Sequence, residues 1–131
     1  MTTTTVDDNA DLVRRLAAGM ADHRWADVLT LVHRDVVAHL PAAPEPLRGV
    51  DSLAAFIVET SAKAEDGERF EVIDTLAGAN HGAIYFRITA NRPDRTPLDN
   101  LTVHLARIES GLVTEIWFHN FDNDAVAAFW A

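Results

Sequence analysis

The second half of the chain constrains the fold most strongly. It contains four consecutive segments of alternating polar and apolar residues, "RFEVIDTLAGA", "GAIYFRITANR", "NLTVHLARIE" and "LVTEIWFHNF", separated by turn signals at Asn80–Gly82, Arg92–Pro97 and Ser110–Gly111. Alternation of period two with β-branched and aromatic residues predicts half-buried strands, and such short connections between them predict a meander. The first half has a different period. From Asp8, Leu12, Leu16 and Met20, then Val28, Leu31 and Val32, recur at threes and fours, interrupted near "ADHRW", which predicts two helices in a hairpin. A short strand from Val36 to Leu40 stops at Pro41. Asp51 or Ser52 can cap a third helix with Leu53, Phe56, Ile57 and Ser61 on its inner face, and Asp122 or Asn123 can cap a last one carrying Val126, Phe129 and Trp130.

Helices first and a strand meander afterwards give an α+β chain rather than a doubly wound parallel sheet. Long antiparallel strands twist, so N-terminal helices packed on a strongly curved antiparallel sheet make a cone-shaped barrel with an apolar interior and a mouth. At 131 residues there is room for one domain, expected over residues 7–131 after a disordered tail over residues 1–6. The start "MTTTTVDDNAD" lacks a basic, then apolar, leader, and no run of apolar residues is long enough to span a bilayer, so a cytoplasmic protein is expected. No cysteine is present, which removes disulfides, thiol nucleophiles and zinc ribbons. A net charge of −9, with 11 Lys and Arg in no basic block, argues against a nucleic-acid partner. The six histidines have no metal-ligand spacing, so neither a metal nor a cofactor is expected.

The order of elements, the segment "LVHRDVVAHLPAAPEPLRGVDSLAAF" and the ending "RIESGLVTEIWFHNFDNDAVAAFW" resemble the SnoaL-like polyketide cyclases. These are relatives of nuclear transport factor 2, ketosteroid isomerase and limonene epoxide hydrolase that share a cystatin-like fold. The resemblance covers the chain from about Val6 to Trp130. It implies the cone fold and a small apolar substrate, and leaves the reaction open because this fold hosts many chemistries. The positions of the ketosteroid isomerase catalytic groups fall on Leu40, Leu16 and Val103, all apolar, which argues against enolisation by that constellation and leaves these three as expected pocket walls. The epoxide hydrolase pattern fits in part. Its water-holding asparagine and tyrosine fall on His39 and Val37, and its "W-x-D" resembles Trp117-Phe118-His119 with histidine in place of the acid.

The candidate catalytic residues are His39, His119 and Asp99. In the SnoaL-like pattern a histidine stands where His39 does, and an imidazole moves protons near neutral pH with little tuning. Asp99 would orient an imidazole, as Glu115 also could. Trp117, His104 and Asn100 are expected to line the pocket. Each has a plainer alternative: a hydrogen-bonded core histidine for His39, turn capping for Asp99 and Asn100, a subunit contact for Trp117 and His119. The faces of the last strand decide much of this. Glu115, Trp117, His119 and Phe121 share one face; Thr114, Ile116, Phe118 and Asn120 share the other. Trp117 and His119 are expected inward, by way of a bulge between Gly111 and Asp122; without a bulge, Ile116, Phe118 and Asn120 would line the pocket. The sequence thus predicts a cofactor-independent acid–base enzyme of the cyclase or isomerase type in secondary metabolism, forming a homodimer. Epoxide hydrolysis and a non-catalytic binding module are the alternatives.

Overall fold

The computed structural model describes residues 5–131. The tail expected over residues 1–6 therefore lies mostly outside the described residues, and its last two positions are structured. Thr5 caps helix α1 (Val6–Ala21) through a capping box: its hydroxyl accepts from the Asp8 N–H at 3.0 Å and its own N–H donates to the Asp8 carboxylate at 3.2 Å. Leu12, Val13, Leu16 and Ala17 form the buried stripe of this helix. Asn9 fixes the helix to the sheet, because its buried amide donates to the carbonyls of Gly78 and Ala79 at 2.9 Å each. Gly82 allows that close approach: a Cβ there would lie 2.3 Å from a Val13 methyl.

Helix α2 (Trp25–Thr30) completes the hairpin, and β1 (Val32–His39) starts four residues earlier than the sequence suggests, since Val32 already pairs with Val113. The two-residue β2 (Leu47–Arg48) pairs with β1. Helix α3 (Val50–Lys63) begins after Gly49, at φ 89°, without a side-chain cap, so neither Asp51 nor Ser52 caps it. Then come β3 (Glu65–Ala77), β4 (His81–Asn91), β5 (Leu98–Glu109), β6 (Leu112–Asn120) and α4 (Asn123–Trp130).

The six strands form one sheet in the order β2-β1-β6-β5-β4-β3. The sheet is mixed, not purely antiparallel: β1 runs parallel to β6, and every other pair is antiparallel. The meander accounts for the antiparallel part; β1 comes from the other half of the chain and adds to the free edge of β6 in the same direction. Long strands with register irregularities in β1, β3 and β6 curl strongly, and the helices cover the concave side. Val36, Ala38, Phe86, Ile108 and Val113 from the sheet meet Leu12, Val13 and Leu53 from the helices in one core. Helix α4 closes the wide end. Asp122 caps it by accepting from the Ala125 N–H, Phe129 is buried, and the Arg92 and Arg95 guanidiniums donate to the Phe129 carbonyl at 2.7 and 3.0 Å. No helix among the described residues is long and apolar enough to cross a membrane.

Candidate functional site

The register of β6 decides which side chains see the interior, and a bulge sets it. Ile108 pairs with Val113 and Arg107 with Glu115, so Thr114 is an extra residue opposite none. Val113 is fully buried in the core, and the extra residue reverses the alternation after it. Glu115, Trp117 and His119 consequently point to the outer face, while Ile116, Phe118 and Asn120 point in. The expected bulge exists, yet its effect is opposite to the expected one, because Val113 rather than Leu112 faces the core.

Inside the cone lies a cavity of about 640 Å³. Trp25, Phe56, Ile57, Phe70, Ile88 and Phe118 make its apolar walls, α4 contributes Val126 and Trp130, and the exposed Glu59, Lys63 and Asp124 mark its rim. Polar groups also face this space, Thr60 and Asn123 among them. From β5 and β6 come His104, Asn100 and Asn120; from β3 comes Glu68, two residues before the inward Phe70 and therefore on the same face. Glu68 is half-buried. Desolvation pushes its carboxyl from 4.5 up to about 7, against a smaller lowering by the Thr60 hydroxyl. His104 sits edge-on to Phe86 at 4.7 Å between ring centroids and against Phe118 at 4.1 Å. That burial, with a lesser contribution from His119, pushes its imidazole down to about 3, so it stays neutral. At neutral pH, then, the Glu68 carboxyl is poised to gain or lose a proton beside uncharged hydrogen-bonding groups from Thr60, Asn100, His104 and Asn120.

Of the residues expected at the site, Asn100, His104 and Leu40 line this cavity. His39, His119 and Trp117 do not. Ala38 is the core-facing neighbour of His39, so His39 turns outward. There its Nε2 lies 2.6 Å from a Glu115 carboxylate oxygen and its ring stacks on Trp117 at 5.5 Å. His39, Trp117 and His119 line a smaller cavity of about 310 Å³, which borders the interior one through Leu40, Pro41, Phe118, Asn120 and Asn123. Asp99 also faces out, where the Arg87 guanidinium grips both its carboxylate oxygens; that hydrogen bonding holds the carboxyl below its ordinary range and Arg87 above its own. Asp99 is thus bound to an arginine and orients no imidazole. Val103 alternates with the inward His104 and so faces outward, paired with His119. Leu16 is packed in the core under α1 and does not reach the cavity. Glu68 was missed as a site residue, although the period-two spacing of Glu68 and Phe70 in "GERF" was an available signal. Asn120, expected inward only for a strand without a bulge, faces inward with one. No group of three or more His, Asp or Glu among the described residues could hold a metal ion.

A curled mixed sheet closed by helices around an apolar cavity defines an α+β cone. The family model described as a SnoaL-like domain matches residues 13–116, and the chain belongs to that family. Among solved structures it is similar to Bal32a from a soil-derived mobile gene cassette, with a TM-score of 0.87 at 19% identity, covering 96% of this chain and 98% of that one. It is also similar to a protein from Jannaschia sp. CCS1 assigned as a SnoaL-like polyketide cyclase, with TM-score 0.80, 16% identity and coverage of 100% and 97%. A protein from Kribbella flavida DSM 17836 assigned as a ketosteroid isomerase gives TM-score 0.72, 20% identity and coverage of 92% and 82%. At these identities the likeness concerns the fold. No curated protein matches the chain.

Proposed function

We propose that the protein is a cofactor-independent acid–base enzyme that moves a proton next to a carbonyl of an apolar small molecule held inside the cone, with Glu68 as the proton carrier. One observation carries the reading: Glu68, a desolvated carboxyl lining a largely apolar cavity, is poised to exchange a proton near neutral pH. As carboxylate, Glu68 takes the α-proton. The electron pair of that C–H bond forms the enolate double bond, and charge moves to the carbonyl oxygen, which uncharged donors on the wall can meet. Returning the proton to another carbon is isomerisation; attack of the enolate carbon on a second carbonyl is aldol cyclisation. Family membership favours both over other outcomes.

The test is deuterium incorporation into 2-tetralone, a bicyclic ketone with acidic α-protons, followed by mass spectrometry. Exchange above the buffer rate is expected in the wild type and, unchanged, in His39→Ala, His119→Ala and Asp99→Asn, whose side chains lie outside the cone. Loss of exchange in any of these three, with the fold intact, would return the chemistry to the outer face. A binding module without chemistry is the second reading, favoured by the outward placement of all three of those residues. Tight ligand binding with no exchange in the wild type would support it. Epoxide opening has less support, because His39, Trp117 and His119, which carry the partial resemblance to that pattern, do not line the interior cavity. We also place the homodimer contact on exposed apolar positions of the sheet and its margin, where Leu76 and Phe121 are 55% and 63% exposed. Sedimentation should show a dimer, and a monomer at every concentration would refute that contact.

A further inference from the structure

The wall formed by β5 and β6 contains a hydrogen-bond chain whose polarity is set by the backbone. The Asp122 N–H donates to Asn100 Oδ1 at 3.1 Å. A backbone N–H can only donate, so the oxygen of the Asn100 amide is the atom at Asp122 and its Nδ2 is turned the other way. That Nδ2 lies 3.3 Å from Asn120 Oδ1. It too can only donate, so Asn120 presents its oxygen to this network, where the Thr102 hydroxyl approaches it at 3.0 Å while also reaching the His119 carbonyl at 2.8 Å. Asn100 and Thr102 are buried, which shields the chain from competing water. The remaining group, Asn120 Nδ2, has no acceptor among the described residues, and Asn120 lines the interior cavity where it meets the smaller one.

From this chain we infer that Asn120 Nδ2 is the donor that orients the ligand, selecting neutral apolar molecules that carry a carbonyl oxygen, and that Asn100 is the positioning residue that keeps the donor outward. The inference rests on the interior-cavity reading above and names its substrate class. Glutamine or asparagine amides can usually rotate to offer either atom; here the backbone removes that choice. A ligand bearing only an ammonium group, which cannot accept, would meet an N–H donor at this point and gain nothing from it, and a hydroxyl could use only its oxygen there.

The experiment compares the affinities of 9-fluorenone, fluorene and 9-fluorenol at pH 8 for the wild type, Asn120→Leu and Asn100→Asp. The wild type should bind the ketone about tenfold more tightly than the hydrocarbon, the size of one hydrogen bond to an otherwise solvated acceptor. Asn120→Leu, similar in shape, should reduce that ratio to about one while leaving fluorene binding unchanged, and fluorene binding itself reports an intact cavity. Asn100→Asp keeps the acceptor for the Asp122 N–H but replaces the donor facing Asn120. The Asn120 amide should then rotate, with the ketone preference lost and 9-fluorenol favoured, an inversion that a merely structural role would not produce. An unchanged ketone preference in Asn120→Leu, or fluorene and fluorenone bound equally by the wild type, overturns the inference and leaves the cavity reading standing. Failure of all three tricycles to bind the wild type overturns the cavity reading and the inference with it.

Discussion

Glu68→Gln is expected to slow α-proton exchange on the order of 10²- to 10⁴-fold, the usual contribution of a positioned general base, with ligand binding retained. Glutamine keeps the shape and the polar surface but holds no exchangeable charge. In the wild type the rate should rise with pH and level off above about 7, because only the carboxylate takes a proton and desolvation delays its formation to that pH. Stability should run in the opposite direction. The folded protein binds the Glu68 proton more tightly than the unfolded chain, whose carboxyl titrates near 4.5, so stability falls as pH rises from about 4.5 to about 7 and is level beyond. The amount is about 2–3 kcal/mol after allowance for access of water through the mouth. Glu68→Gln should lack this fall and be more stable than the wild type at pH 8. Equal exchange rates for the two proteins, or no stability difference between pH 5 and pH 8, would remove Glu68 from the proposed role.

Phe86→Ala should cost about 3–5 kcal/mol in denaturant unfolding, the range for removing a buried aromatic ring from a core that cannot collapse around the void. Phe86 is 1% exposed at the centre of β4, tilted against Phe70 at 5.7 Å and edge-on to His104 at 4.7 Å, so both the core and the cavity floor rest on it. The loss has a second readout. Without the ring His104 gains access to water, and its imidazole should titrate closer to the ordinary 6.5 than the value of about 3 it is held to. Phe86→Leu should fall between, because it keeps most of the volume. A cost below about 1 kcal/mol for the alanine variant would show that β4 is not the support of this wall.

Much of the fold was legible because its causes are local. The alternation of β3 to β6, the 3.6-residue recurrence of Leu12 and Leu16, and the Asp122 cap are each written within a few residues. The inner face of α3 was legible for the same reason, and Leu53, Phe56 and Ile57 do line the cavity. The parallel pairing of β1 with β6 was not, since it joins segments 76 residues apart, as His39 and Glu115 are, and nothing near either one encodes it. The last strand was misread at its start. A bulge was expected and is present at Thr114, but Val113 rather than Leu112 faces the core before it, and nothing local to "GLVT" distinguishes these two facings, so every later side chain was assigned to the wrong face. His39 and His119 attracted attention as titratable groups, but side-chain chemistry does not report direction; the imidazole that does face inward, His104, is held neutral by its aromatic cage. Glu68 was passed over because β3 was expected to start at Arg69, whereas it starts at Glu65.

The central claim is that the working cavity is the interior one, bounded by Ile116, Phe118 and Asn120, and not the outer face of Trp117 and His119. Crystals of the wild-type protein soaked with 2-bromofluorenone, measured at the bromine absorption edge, address it directly. The account predicts an anomalous peak inside the cone between Phe70 and Phe118, with the ketone oxygen at the Asn120 amide. A peak on the outer face against His39 and Trp117, with the cone empty of ligand, would contradict it.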